Sequence, residues 1–172
     1  PAFILDIEAD EDKMKYVIKN VGGDIKYGNV FGDVVLIIAV YDEQYDYLGK
    51  GYILLGGYLE KDFSTYDFET NSFEMYSTLE PKPDKIQEII IKQGFFCGIE
   101  CTEYFDFMYT DYKQEMIKKT MVVQGGIIKD IENTGDYEFK IRVDIDDLEN
   151  EQICSEIKEQ LEHLVRYNSL YN

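Results

Sequence analysis

Val34-Val35-Leu36-Ile37-Ile38-Ala39-Val40-Tyr41, then Asp42-Glu43-Gln44-Tyr45-Asp46, then Tyr47-Leu48-Gly49-Lys50-Gly51-Tyr52-Ile53-Leu54-Leu55, is the stretch on which the reading of this chain turns. The first run carries no charge and is apolar on both alternating faces, as expected of a central strand covered on both sides. The polar residues Asp42 to Asp46 form a loop, and the extended pattern resumes at Tyr47, so the whole reads as a hairpin. Val34 to Tyr41 is also the longest apolar run, far short of the ~20 residues needed to span a bilayer, so no membrane span is expected. No charged-then-apolar leader opens the sequence at Pro1-Ala2-Phe3.

Outward from that hairpin the same period of two recurs. Phe3, Leu5 and Ile7 alternate with Ile4, Asp6 and Glu8, and Asp10-Glu11-Asp12 is a polar break. Met14, Tyr16 and Ile18 alternate with Lys13, Lys15, Val17 and Lys19 before Asn20-Val21-Gly22-Gly23-Asp24 ends the strand. Phe63, Tyr66, Phe68, Phe73 and Tyr76 lie in further short strand-like runs. Leu79 to Asp84, with Pro81 and Pro83, is linker-like, and Ile86 to Lys92 reads as another apolar strand. Gln114 to Met121 reads as a short helix. Val122-Val123 and Ile127-Ile128 flank Gly125-Gly126. Tyr137, Phe139, Ile141, Val143 and Ile145 then alternate without a miss, the clearest strand pattern in the chain. A helix is expected from about Leu148 to Tyr167, with Asp146 or Asp147 capping its first amides and Ile153, Ile157, Leu161 and Leu164 as one stripe. Ile18 to Asp24 echoes Ile131 to Asp136 through a shared Asn-x-Gly turn, which common hairpin chemistry explains better than duplication.

A chain of 172 residues with 45% hydrophobic content has enough apolar material for a core. Its 15 Tyr and 10 Phe favour pleated surfaces, where flat rings pack well. Asp and Glu number 35 against 17 Lys and Arg, a formal charge of −18. Such a field repels phosphate backbones, so direct binding to nucleic acid or to an anionic membrane is not expected. The acidity instead fits a solubilising surface, a basic protein partner, or an inhibitor that mimics nucleic acid by presenting paired acidic rows. Cys97, Cys101 and Cys154 are an odd set, which excludes a disulfide-dense scaffold.

Residues for chemistry are sparse, and no catalytic set and no cofactor is implied. Asp144-Ile145-Asp146-Asp147-Leu148-Glu149 opens like an EF-hand loop, but Leu148 and Glu149 fall where an oxygen ligand and a Gly are required. Asp42, Glu43 and Asp46 could gather at a loop tip as weak cation ligands, as could Asp10, Glu11 and Asp12, which leaves a calcium-dependent or carbohydrate-binding module as a further reading. Zinc would need more soft ligands than one His and these three Cys supply. His163 is the single histidine and lacks a nucleophile nearby in sequence. Cys97 has no neighbouring cation to activate it, so an inert thiol is expected. Phosphate-cradling glycine loops are absent. The expected interaction patch is Tyr104, Tyr109 and Tyr112 beside Asp106 and Asp111, because Tyr suits interfaces.

Residues 13–57 resemble the cell-adhesion-related and Phe-x-Leu-Tyr-Asp-type immunoglobulin-like domains of archaeal and bacterial surface proteins. The resemblance is carried by Val17-Ile18-Lys19-Asn20-Val21-Gly22-Gly23, by Val34 to Asp42, and by Leu48-Gly49-Lys50-Gly51. It implies an immunoglobulin-like antiparallel β-sandwich, extracytoplasmic display and a role in adhesion or assembly, and it carries no catalytic residues to transfer. The expectation is therefore a mainly β protein: a sandwich over 1–93, then a β-rich extension over 94–172 ending in the helix, with packing on one shared core as the other arrangement. Its function is expected to be a non-catalytic binding or structural module.

Overall fold

The computed structural model describes residues 1–60, 63–77, 82–123, 137–148 and 151–171. The protein is mainly β, with two sheets and two helices, one of them at the C-terminal end. Strands β1 (Phe3–Asp10), β2 (Lys13–Asn20) and β6 (Ser72–Ser77) form a three-stranded antiparallel sheet in the order β1-β2-β6. The second sheet runs β8-β7-β3-β4-β9, from β3 (Tyr27–Tyr41), β4 (Tyr47–Gly56), β7 (Phe96–Thr110), β8 (Met116–Val123) and β9 (Tyr137–Asp144), with the short β5 (Phe63–Thr65) paired to β3. One departure from an all-antiparallel arrangement is the parallel pairing of β4 with β9, Gly49 opposite Tyr137 through Gly56 opposite Asp144. The helices are α1 (Asp84–Lys92) and α2 (Glu151–Tyr171).

The chain forms two compact units, each assembled from three segments. Unit 1 is Pro1–Val34, Tyr58–Glu80 and Glu103–Val123; unit 2 is Val35–Gly57, Pro81–Thr102 and Gln124–Asn172. They are thus interleaved in sequence instead of dividing once near residue 93, because β3 and β7, at 15 residues each, contribute to both.

Unit 1 is a two-layer sandwich with an aromatic interior. Period-two side chains from β1, β2 and β6 meet those of β7: the ring of Phe3 lies 4.8 Å from Phe107 and 5.1 Å from Tyr109, Tyr16 lies 5.2 Å from Phe105, and Phe73 lies 6.1 Å from Phe107. Edge-on and tilted contacts of this kind add about 0.5–1.5 kcal/mol each beyond the area they bury. Gly32 is required here, since Leu59 and Met75 of this unit occupy the space a Cβ would need.

Unit 2 is built on aliphatic side chains. The expected stripe Ile153, Ile157, Leu161 and Leu164 is buried, as are Ile53 and Leu55 of β4 and Ile141 and Val143 of β9. Each such side chain stabilises the fold by roughly 1.5–3 kcal/mol. The ring of Phe139 lies over Gly51, its partner in register, where no other residue would fit. Before α2, Asp144 caps a 3-10 turn over Ile145–Asp147, its carboxylate accepting from the Asp146 amide at 3.1 Å. α2 opens at Glu151, and residues 149–150 ahead of it lie outside the described residues. The helix runs to Tyr171, past the expected end at Tyr167.

Two expected elements are corrected. Ile86 to Lys92 is not a strand but the body of α1. Ile86, Ile89 and Ile90 are its buried residues, and their spacing of three and four makes one helical face, whereas period two would have needed an apolar residue at Glu88. Glu88 instead pairs with Lys92 one turn on at 2.7 Å. Gln114 to Met121 is not a helix. Gln114 stands at φ 64° in a tight loop, and Met116 to Val123 pair with β7 along the whole of β8, so the ladder overrides local helix preference. The Gly125-Gly126 turn, Ile127-Ile128, the echo at Ile131 to Asp136 and Leu79 to Pro81 of the linker-like stretch lie outside the described residues.

Candidate functional site

β3 alternates strictly in unit 1. Gly28, Val30 and Val34 are buried, while Tyr27 and Phe31 are 53% and 41% exposed and Asp33 is exposed with them. β5 adds Phe63 opposite Phe31 and Thr65 opposite Asn29; Phe63 is 55% exposed, and its ring lies 6.2 Å from that of Phe31. On β7 the outward positions are Tyr104, Asp106 and Met108, and β8 sets Val122, Thr120 and Lys118 opposite them in register. Burial raises the Tyr104 hydroxyl's pKa above its ordinary value, so it is a neutral hydrogen-bonding group at physiological pH. Asn29 donates to the Tyr27 hydroxyl at 2.7 Å, and its own carbonyl oxygen is buried without a partner among the described residues. The outward side of this sheet in unit 1 therefore carries three exposed rings, with Asp33 and Asp106 as exposed acids on the same face.

The expected patch is only partly assembled. Tyr104 and Asp106 lie on this outward side, and Asp106 accepts from the Thr120 hydroxyl at 2.6 Å. Tyr109 is buried, with Phe3 and Phe107 around it, because odd-numbered residues of β7 face the core from Phe105 onward. Asp111 is also buried, and its carboxylate accepts from the amides of Lys113 at 2.9 Å and Glu115 at 3.1 Å, which fixes the β7–β8 loop. Tyr112 is 72% exposed at that loop's tip. The reading failed on parity, since 104 and 109 point to opposite faces of one strand. Tyr27, Phe31 and Phe63 were missed, although Tyr27-Gly28-Asn29-Val30-Phe31-Gly32-Asp33-Val34 carries the alternation that would have found them. Two glycines and an Asn lower the strand propensity of that stretch.

The weak cation candidates fare differently. The Asp42 carboxylate accepts from the amides of Gln44 and Asp46, both at 2.9 Å, so its oxygen serves the loop's own backbone. Glu43 and Asp46 are exposed on the same loop. Among the described residues no group of three or more His, Cys, Asp or Glu is placed to hold a metal. His163 lies on α2 with its Nε2 3.8 Å from Glu159. Burial pushes the Cys97 thiol above its usual range, which disfavours the nucleophilic thiolate.

Two hollows lie among the described residues. In unit 1, Ser64, Thr65, Tyr66, Asp67, Ser72 and Glu74 line a polar hollow of about 290 Å³. In unit 2 an open groove of about 340 Å³ runs between Gln93 and Phe95 on one side and Lys158, Leu161, Val165 and Arg166 of α2 on the other. Among the described residues no helix is long and apolar enough to cross a membrane.

Comparison of the sequence with family models and with curated proteins finds no match. Among solved structures, the chain is similar to the collagen-binding subdomain of the Enterococcus faecalis surface protein ACE, at 12% identity over 71% of this chain and 94% of that one. The TM-score is 0.25, too loose an overlay to argue from.

Proposed function

We propose that this protein is a non-catalytic binding module that docks a protein partner on the outward side of unit 1, through Tyr27, Phe31 and Phe63. The observation that carries the reading is the exposure of these three rings on one sheet face, where each would otherwise be expected in the core. Aromatic anchors on a preformed surface supply most of the energy of typical interfaces, at ~2 kcal/mol or more for a central ring. Asp33 and Asp106 on that face, in a chain of net charge −18, favour a partner with Lys or Arg around an apolar centre.

Panning phage-displayed random peptides on the immobilised protein tests this. Enriched peptides should pair basic with aromatic or aliphatic residues and should bind the Phe31→Ser/Phe63→Ser double variant at least ~10-fold more weakly. The circular dichroism of that variant should be unchanged, because both rings already face solvent. Peptides that bind the double variant as well as the parent would place recognition elsewhere.

A further inference from the structure

We propose that the free edge of β1 is a strand-addition site, and that its occupant is an extended segment of another protein in which basic and apolar residues alternate. β1 pairs with β2 on one flank and, among the described residues, with no strand on the other. Its 8 residues therefore present a row of unpaired backbone donors and acceptors, a template for one more strand.

Two rows of side chains accompany that edge. On the core side stand Phe3, Leu5 and Ile7; Ile7 is opposite the buried Tyr16, yet it is itself 45% exposed. An apolar residue on the inner face of a sandwich stays uncovered only where the layer ends beside it. On the outer side stand Asp6, Glu8 and Asp10, ~7 Å apart along the strand. Lys19 closes on Asp6 at 2.8 Å. Lys15 turns away to Glu74 at 3.4 Å, and Lys13 is engaged by Glu60, so Glu8 and Asp10 form no ion pair among the described residues. The edge thus offers unmet hydrogen bonds, an apolar row left uncovered at Ile7, and two carboxylates, Glu8 and Asp10, without a close ion pair among the described residues.

The occupied flank shows what such an edge accepts. β2 sets Lys13, Lys15 and Lys19 on the acidic side, and Met14, Tyr16 and Ile18 on the apolar side. Side chains of β1 serve both flanks, so a second strand of the same alternation would meet the same two rows. A second copy of β1 would not fit: antiparallel pairing of two such edges sets the acids of one against the acids of the other, which is destabilising. This site lies on the other sheet from the face proposed above and does not depend on it.

The test titrates the whole protein into a labelled peptide with the sequence of residues 13–20, Lys-Met-Lys-Tyr-Val-Ile-Lys-Asn. Two control peptides accompany it: a scramble that keeps composition but loses alternation, and a version with Glu at the three Lys positions. The alternating peptide should bind at least ~10-fold tighter than either control. Binding should fall by a similar factor in Ile7→Lys and in Glu8→Lys/Asp10→Lys, and stay unchanged in Phe31→Ser/Phe63→Ser. Equal binding of the scramble would reveal diffuse attraction to an acidic chain and overturn the proposal. So would indifference to the β1 substitutions, or self-association that Ile7→Lys abolishes. Should Ile7→Lys perturb folding, the Glu8→Lys/Asp10→Lys variant, altered only at exposed positions, decides alone.

Discussion

Two loops of this molecule are built alike from unlike sequences. Asp42-Glu43-Gln44-Tyr45-Asp46 closes the β3–β4 hairpin in unit 2, and Asp111-Tyr112-Lys113-Gln114-Glu115 closes the β7–β8 hairpin in unit 1. In each, the first Asp receives hydrogen bonds on its carboxylate from the amides two and four residues on. In each, its carbonyl accepts from the fourth residue, and that residue sits at positive φ, 62° for Tyr45 and 64° for Gln114. They differ in surroundings. Asp111 is buried where Asp42 is half-buried, and Tyr45 stacks on Phe96 at 4.6 Å while the Gln114 side chain is exposed. A backbone device held by a carboxylate in both places is thus backed by burial of that carboxylate in one and by a neighbouring ring in the other.

Removing the anchors should separate the two loops most. Asp111→Ala leaves amides without an acceptor in a buried setting and should cost about 2 kcal/mol, whereas Asp42→Ala, where water can substitute, should cost about 1 kcal/mol. Urea unfolding of the two variants measures both, and equal losses would mean that burial is not what distinguishes them. Relieving the left-handed residue should act more weakly and with divided sign. Gln114→Gly should stabilise by roughly 0.5–1 kcal/mol by easing the strained φ. Tyr45→Gly gains the same relief but loses a stacked pair of comparable worth, so its midpoint should stay level or fall. A gain in both would show the ring contact to be idle.

The smallest effect lies at the far end of the β7–β8 ladder, in a feature of unit 1. Burial raises the pKa of Glu103, which accepts a 3.1 Å hydrogen bond from Tyr16. A carboxyl raised on folding binds more protons in the native state, so its contribution is full below the ordinary carboxylate range and is lost as pH rises through the raised value. Glu103→Gln keeps the acceptor and removes the charge. Its stability relative to the parent should therefore improve between pH 4 and 7, as thermal unfolding at several pH values would register. A pH-independent difference would contradict that account.

The same pair of loops shows what was legible in the sequence. The Asp42 loop was read correctly because Val34 to Tyr41 leaves no doubt about the strand before it. The Asp111 loop was overrun by an expected helix, since Gln114-Glu115 and Lys118-Lys119 are helix formers and the ladder to β7 is a long-range fact no local window contains. Short apolar runs are ambiguous for a related reason. Ile86 to Lys92 reads as strand until the polar pair Gln87-Glu88 is weighed against the burial of Ile86, Ile89 and Ile90. Period-two patterning gave the mainly β class, both flanks of the β3–β4 hairpin, β2 and β9, and spacing of three and four gave the stripe of α2. It could not give the proposed site, because the face that β3 turns to solvent depends on which neighbours cover the other one. The acids marked as cation ligands or contact residues, Asp42 and Asp111, turned out to be devoted to their own backbones, a use that looks the same in sequence as a vacant carboxylate.

The passage of β3 and β7 through both units constrains how this protein can be inherited. Cut at any peptide bond between Val35 and Val123, neither half keeps the segments one unit needs; a piece ending at residue 93 would strand Phe3, Tyr16 and Phe73 without the rings of Phe105, Phe107 and Tyr109 that shield them. Neither unit is therefore an exchangeable cassette that recombination could transplant as one contiguous stretch of gene.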